Sequence, residues 1–187
     1  MLDFSRWPRI VVELGMGDGR LLESLAKSDT ASLYVGIELD REQCRQAQSR
    51  MTALDNVKIL NGSFEEILTT FPDGSVDRFI AVLPDPAYID TNKQELWSPL
   101  YEVVLRKLKE TGTFELVTEI TDELLQPVSN EAYEEWASWL KSTFLSIGFS
   151  LNSQKEGAPE RYHSRCLDQF RSDPERIRMI TLEFAKR

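Results

Sequence analysis

Histidine occurs once, at His163, and cysteine twice, at Cys44 and Cys166, in a chain of 187 residues. The cysteines lie far apart, without zinc-site spacing, so the sequence predicts neither a metal site nor a disulfide framework. Reduced thiols and a cytoplasmic location are the expectation. Long apolar runs are missing as well. No stretch approaches the roughly 18 residues of a membrane span, so no membrane association is expected, and residues 1–8 lack the apolar centre of a signal peptide. Positive charge is in deficit: 22 Lys and Arg face 31 Asp and Glu, a formal net charge of -9. That balance repels nucleic acid as a whole. The deficit is uneven, because residues 155–187 carry eight Lys and Arg against six Asp and Glu. Any RNA contact is expected to favour that stretch. At this length one hydrophobic core and one domain, residues 1–187, are expected.

What is present, over residues 9–40, is an apolar run, a glycine loop, a helical stretch and a second apolar run. Glu13-Leu14-Gly15-Met16-Gly17-Asp18-Gly19 sets three glycines at alternate positions directly after a predicted strand. Glycine there permits a tight turn and lets the backbone approach a ligand closely. The second run, Leu33-Tyr34-Val35-Gly36-Ile37, ends on Glu38, followed by Leu39. An acid at that strand end can accept both hydroxyls of a ribose. These parts in this order make a nucleoside cofactor site. A dinucleotide fingerprint is one residue longer and sets a pyrophosphate against the helix N-terminus. Here Asp18 stands inside the loop, where it would repel a pyrophosphate. The sulfonium and ammonium of S-adenosylmethionine would attract Glu13 and Asp18.

In order, the sequence predicts a strand over 9–15, a helix over 20–28, a strand over 32–39 and a helix over 41–54. A strand over 56–60 follows, then a helix over 64–71 capped by Ser63, and a turn at 72–74. Further on come a strand over 76–83, a helix over 97–109, a strand over 113–120 and a helix over 131–145. Tyr133, Trp136, Leu140 and Phe144 share a face of that last helix. A weak strand lies near 149–152, residues 153–174 read as an irregular working loop, and an alternating strand over 177–184 closes the sheet antiparallel. This is an α/β, Rossmann-like pattern: a seven-stranded, mostly parallel sheet with helices on both faces.

A second chemical site is expected at the end of the fourth strand, beside the topological switch point. There the chain reads Leu83-Pro84-Asp85-Pro86-Ala87-Tyr88. The prolines hold Asp85 in a restricted, extended backbone. Asp85 could accept from the N–H groups of a nitrogen base while Tyr88 stacks on its face.

The glycine loop with Glu38 resembles class I S-adenosylmethionine-dependent methyltransferases. Asn56-Val57, Phe71-Pro72-Asp73-Gly74, Leu83-Pro84-Asp85-Pro86, the segment 96–112 and Thr118-Glu119 narrow the resemblance to the bacterial tRNA (guanine-N7-)-methyltransferases, the TrmB-like family. The resemblance implies an enzyme of RNA methylation and tRNA processing, a monomer or homodimer. It would use S-adenosylmethionine and release S-adenosylhomocysteine. Cofactor contacts are implied at Glu13, Gly15, Met16, Gly17, Asp18 and Gly19. Others are implied at Glu38, Leu39, Asn61, Gly62, Ser63 and Leu83. Asp85 is implied as the catalytic carboxylate, with substrate contacts at Pro86, Tyr88, Thr118, Glu119, Tyr162 and Arg165. The sequence departs from that family where Pro-Asp-Pro is followed by tryptophan and a basic run; here Ala87-Tyr88-Ile89-Asp90-Thr91-Asn92-Lys93-Gln94 holds one lysine. Asp85-Pro86-Ala87-Tyr88 also resembles the Asp-Pro-Pro-Tyr motif of enzymes that methylate exocyclic amines. A weaker likeness, through Gly17-Asp18-Gly19-Arg20 and residues 114–118, is to 16S rRNA adenine methyltransferases. The acidic balance keeps a small-molecule methyltransferase open beside these. So does a cofactor-binding subunit without activity of its own.

Overall fold

Strands covered by helices on both faces must be apolar nearly throughout. β1 (Arg9–Leu14) is buried at every position after the first, and β2 (Ser32–Glu38) at every position before the last. The computed structural model describes residue 4, residues 6–122, residue 124 and residues 126–186. The signal-peptide reading of the N-terminus rests partly on residues 1–3 and 5, outside the described residues. β1 pairs in parallel with β2 and with β4 (Val76–Val82), and β2 with β3 (Val57–Asn61). β5 (Leu108–Thr121) extends the parallel set beyond β4. β7 (Ile177–Lys186) runs antiparallel to β5, and β6 (Phe149–Glu156) antiparallel to β7. The order is β3-β2-β1-β4-β5-β7-β6. It reverses between β1 and β4, so a crevice opens at their carboxyl ends.

Two apolar clusters hold the helices to the sheet. On one face α1 (Arg20–Ser28), α2 (Arg41–Arg50) and α6 (Arg165–Arg171) bring Leu22, Ala47 and Leu167 against Val11, Ile80 and Val117. On the other, α3 (Phe64–Leu68), α4 (Gln94–Lys107) and α5 (Asn130–Ile147) bring Leu68, Trp97, Leu140 and Phe144 against Val12, Phe79 and Phe114. The aromatics at helical spacing are core, as their periodicity predicts: Phe144 lies 4.8 Å from Tyr101 and 4.9 Å from Phe184, centroid to centroid.

Three local readings are corrected. β5 starts at Leu108, not at 113: Lys107 ends α4 with its Nζ 2.6 Å from Asp73, and the polar residues 109–111 continue as strand. α2 and α3 stop at Arg50 and Leu68, short of the predicted 54 and 71. Residues 153–174 are not irregular throughout. β6 runs to Glu156, and α6 is capped by Ser164, whose Oγ accepts from Leu167 N at 3.1 Å. Gln154, Lys155 and Glu156 are exposed because β6 is an edge strand. Their polarity erases the alternation from which a strand is read.

Candidate active site

The glycine loop turns because each of its glycines takes a positive φ: 73° at Gly15, 57° at Gly17 and 78° at Gly19. Gly19 also lets α1 approach α2, since a Cβ there would lie 2.6 Å from Met51 Cε and 2.8 Å from Ala47 Cβ. Gly36 serves a similar packing need, for a Cβ there would lie 2.1 Å from Met16 Sδ. Met16 therefore fills the core over β2 instead of facing the crevice. Glu38 reaches back across the loop: its Oε2 accepts from Gly17 N and its Oε1 from Asp40 N, both at 2.9 Å. Each oxygen keeps a further lone pair. Two fixed backbone donors thus orient a carboxylate that can still accept two hydroxyls.

A cavity of about 490 Å³ opens at these strand ends, within the range of small-ligand sites. It gathers Gly15, Glu38, Leu39, Ser63, Leu83, Asp85 and Tyr88 from the residues singled out by sequence. It adds Phe64, which the sequence reading missed; its ring packs 4.9 Å from Tyr88 and beneath Gly15. The position directly after the Ser63 cap was the available signal. Leu39 is 66% exposed, an apolar side chain offered to the flat face of a ligand. Asp85 Oδ1 accepts from Ala87 N at 2.8 Å and caps the short 3-10 turn Pro86–Tyr88. Leu83 has a φ of 50°, an uncommon conformation for a non-glycine residue, and its N–H donates to Val117 O at 2.8 Å. That turn swings Pro84 inward and delivers Asp85 to the cavity. Burial and the neighbouring Glu65 charge hold the Tyr88 hydroxyl above its usual range.

Glu13 lies beneath the loop, 3% exposed, and its Oε2 has no hydrogen-bond partner among the described residues. Burial first, and then the charges of Asp18 and Glu38, push its carboxyl well above the usual range. A cation reaching Glu13 would reverse that cost. Asp18 is engaged elsewhere, with its Oδ2 2.9 Å from Arg20 Nε and 3.5 Å from Arg50 Nη2. Asn61 donates to Glu38 O and Leu39 O, both at 2.9 Å, and Gly62 N to Glu38 O at 3.0 Å. These two tie β3 to the end of β2 and do not line the cavity. Ser63 spends its Oγ on Glu66 N at 3.3 Å. Pro86 is exposed at the rim.

The remaining expected substrate residues are not brought to the cavity. Thr118 is buried within β5, on the sheet face opposite Glu119. Tyr162 is fully buried, and its hydroxyl accepts from Arg78 Nη2 at 3.0 Å. Arg78 stands five residues before Leu83 in the chain, roughly 16 Å back along β4 at about 3.3 Å per residue. Arg165 is the first residue of α6, and neither it nor Tyr162 lines the cavity. His163 is two-thirds exposed and 3.3 Å from Asp168.

Glu119 sits near the carboxyl end of β5 with a buried Oε2 that has no hydrogen-bond partner among the described residues. Burial pushes its carboxyl up to about 7, against 4.5 ordinarily. The folded state therefore holds a proton that the unfolded chain has lost, and stability falls as pH rises through that window. Glu119→Gln is expected to melt like the wild type near pH 4.5 and above it from pH 7 upward. Parallel melting curves across the range would refute this.

A family model described as "Putative methyltransferase" matches residues 8–147. A protein of Campylobacter fetus subsp. fetus named tRNA (guanine-N(7)-)-methyltransferase is 32% identical over 169 residues, covering 89% of this chain and 38% of its own length. One of the same name from Yersinia enterocolitica is 30% identical, covering 62% of this chain and 51% of its own length. The chain thus spans about half or less of these curated relatives. Among solved structures, the 16S rRNA methyltransferase KamB superposes with a TM-score of 0.75 at 14% identity, over 98% of this chain and 90% of that one. At that identity the fold is what the two share. Among the described residues no helix is long and apolar enough to cross a membrane.

Proposed function

Because the chain belongs to the methyltransferase family whose model covers residues 8–147, we propose that it methylates N7 of guanine in tRNA with S-adenosylmethionine. The observation that carries this reading is the cavity that joins Glu38 at the end of β2 to Asp85 after β4. When bound, S-adenosylmethionine supplies an electrophilic methyl group on a sulfonium. The residues present fit it. Glu38 keeps lone pairs for the ribose hydroxyls, Leu39 covers the adenine face, and the orphaned oxygen of Glu13 awaits the ammonium. Guanine N7 attacks with its own lone pair, so no base is needed to remove a proton. Tyr88 and Phe64 hold the guanine plane, which is positioning, and positioning is worth several kcal/mol by itself. Asp85 accepts from the guanine N–H edge and offsets the positive charge that grows on the ring. The curated relatives carry the same activity in their names, which supports N7 over an exocyclic amine. The same support favours an RNA-handling protein, for which a cytoplasmic location is our proposal.

The direct test is nucleoside mass spectrometry on RNA from a source lacking the modification, incubated with the protein and methyl-labelled S-adenosylmethionine. Label in 7-methylguanosine confined to tRNA is the expected result. Label in N6-methyladenosine or N2-methylguanosine would transfer the assignment to exocyclic amines.

Cofactor binding is also expected to release a proton. Glu13 is protonated in the ligand-free protein over a wider pH range than an ordinary carboxyl, and the arriving ammonium favours its ionised form. Affinity for S-adenosylhomocysteine should rise with pH until Glu13 ionises unaided. Calorimetry in two buffers of different ionisation enthalpy measures the release, and Glu13→Gln should abolish it. Equal heats for the wild type in both buffers would disprove the coupling.

A further inference from the structure

An RNA substrate needs cations for its phosphates, and several cations at the carboxyl-end side of the sheet are already paired. Lys93 is 3.2 Å from Asp90, Arg178 is 2.6 Å from Glu156, and Arg176 is paired with Asp173. Arg20 and Arg50 share Asp18 beside the glycine loop. Arg41 differs. It is the first residue of α2, and no carboxylate lies within ion-pair reach of it among the described residues. Arg45, one turn on, has only Glu42, in a pair exposed on both sides, which is worth little. Four residues apart on a helix, the two guanidinium groups share a face and are separated by roughly 6 Å of rise.

That face borders a groove. Its upper part, about 390 Å³, is lined by Arg41, Cys44, Arg45, Gln48 and Asn61. A lower part, about 350 Å³, continues from Gln48 along Val57 and Ile59 of the edge strand β3. At the top, the Asn61 side-chain amide donates to Glu38 O and Leu39 O, so groove and cavity share a wall. Residues 41–58 hold four Lys and Arg against two acids, opposite in sign to the chain as a whole.

We infer that the α2–β3 groove is the track for the RNA backbone, with Arg41 and Arg45 gripping phosphates next to the base in the cavity. This rests on the tRNA reading above. Forked guanidinium groups suit phosphate oxygens, and Gln48 supplies a neutral donor one turn further on. An acidic peptide fits less well: it would have to add to the open edge of β3, where exposed Lys58 discourages strand pairing.

The test is the double variant Arg41→Gln/Arg45→Gln in the full chain. Lys27→Gln/Arg106→Gln serves as a control of equal charge, in the last turns of α1 and α4, next to the amino ends of β2 and β5 and so at the opposite end of the strands from the cavity. Methyl transfer to tRNA is measured over a salt series, together with affinity for S-adenosylhomocysteine. The groove variant should raise the tRNA KM roughly tenfold at moderate salt and flatten the log–log salt slope by about 1.4–1.8, two phosphate contacts' worth. Its kcat and cofactor affinity should stay within about twofold of wild type, and the control should move none of these. An unchanged KM and slope in a variant that still binds S-adenosylhomocysteine would overturn the track and leave the tRNA reading standing. An equal effect from the control would overturn it too. So would an unchanged KM with lost binding of a polyglutamate peptide, which would assign the groove to an acidic protein. A wild type that methylates no tRNA would overturn both readings.

Discussion

Asp85→Asn is expected to lower kcat for tRNA methylation by about 10²–10³-fold, with melting temperature and S-adenosylhomocysteine affinity unchanged. Asparagine keeps the shape of the side chain and an Oδ1 that can accept from Ala87 N, so the Pro86–Tyr88 turn stays capped. What it removes is the negative charge beside the base. In the ground state that charge meets a neutral guanine; once N7 carries the methyl group it meets a cation. An interaction that strengthens along the reaction lowers the barrier and so appears in kcat. Single-turnover methyl transfer at saturating RNA measures it. A variant with wild-type kcat would show that Asp85 is a loop residue and would move the substrate side of the cavity elsewhere.

The largest expected structural effect is at Gly19. Alanine there must adopt a φ near 78°, and its Cβ meets Met51 Cε and Ala47 Cβ inside 3 Å. Left-handed backbone costs about 1–2 kcal/mol and overpacking about 1–3. A combined loss near 4 kcal/mol corresponds to roughly 10 °C of melting temperature at this chain length. Gly17→Ala separates the two causes. Its φ is 57°, but a Cβ there has nothing within 4 Å, so only the backbone cost applies. Thermal melts of the pair should therefore differ by several degrees. Equal losses would mean that close packing of α1 on α2 is not what Gly19 provides.

The parts of this molecule that could be read in advance are those governed by short-range rules. The parallel strands announce themselves by unbroken apolar runs, the loop by its three glycines, and Glu38 in the cavity by its place at the end of β2. The place of Asp85 in the cavity was legible because two prolines mark the end of a strand beside the switch point. Other features depend on partners distant in the chain. Tyr162 looked like a substrate contact among basic residues. Its true partner is Arg78, 84 positions away, which Glu115 Oε2 in turn binds at 2.9 Å. Asp18 looked like a cofactor ligand, yet Arg50, 32 positions on, draws it outward. The strand start at Leu108 was hidden because Lys109 belongs to a cross-strand pair with Asp77, at 2.7 Å, and reads as a helix end without it. Polar side chains carry no period when their partners come from another element.

On the proposed cofactor reading, the orphaned oxygen of Glu13 ties the survival of this chain to metabolism. Without a ligand the core contains a carboxyl with one oxygen unpartnered among the described residues, and the native state forfeits stability to keep it. Ligand bound only by the folded form adds roughly 2.7 kcal/mol once its concentration is 100 times the Kd. An increment of that order decides between persistence and proteolysis for a marginally stable protein. A cell short of methyl donor would thus hold fewer copies of the protein as well as running it more slowly.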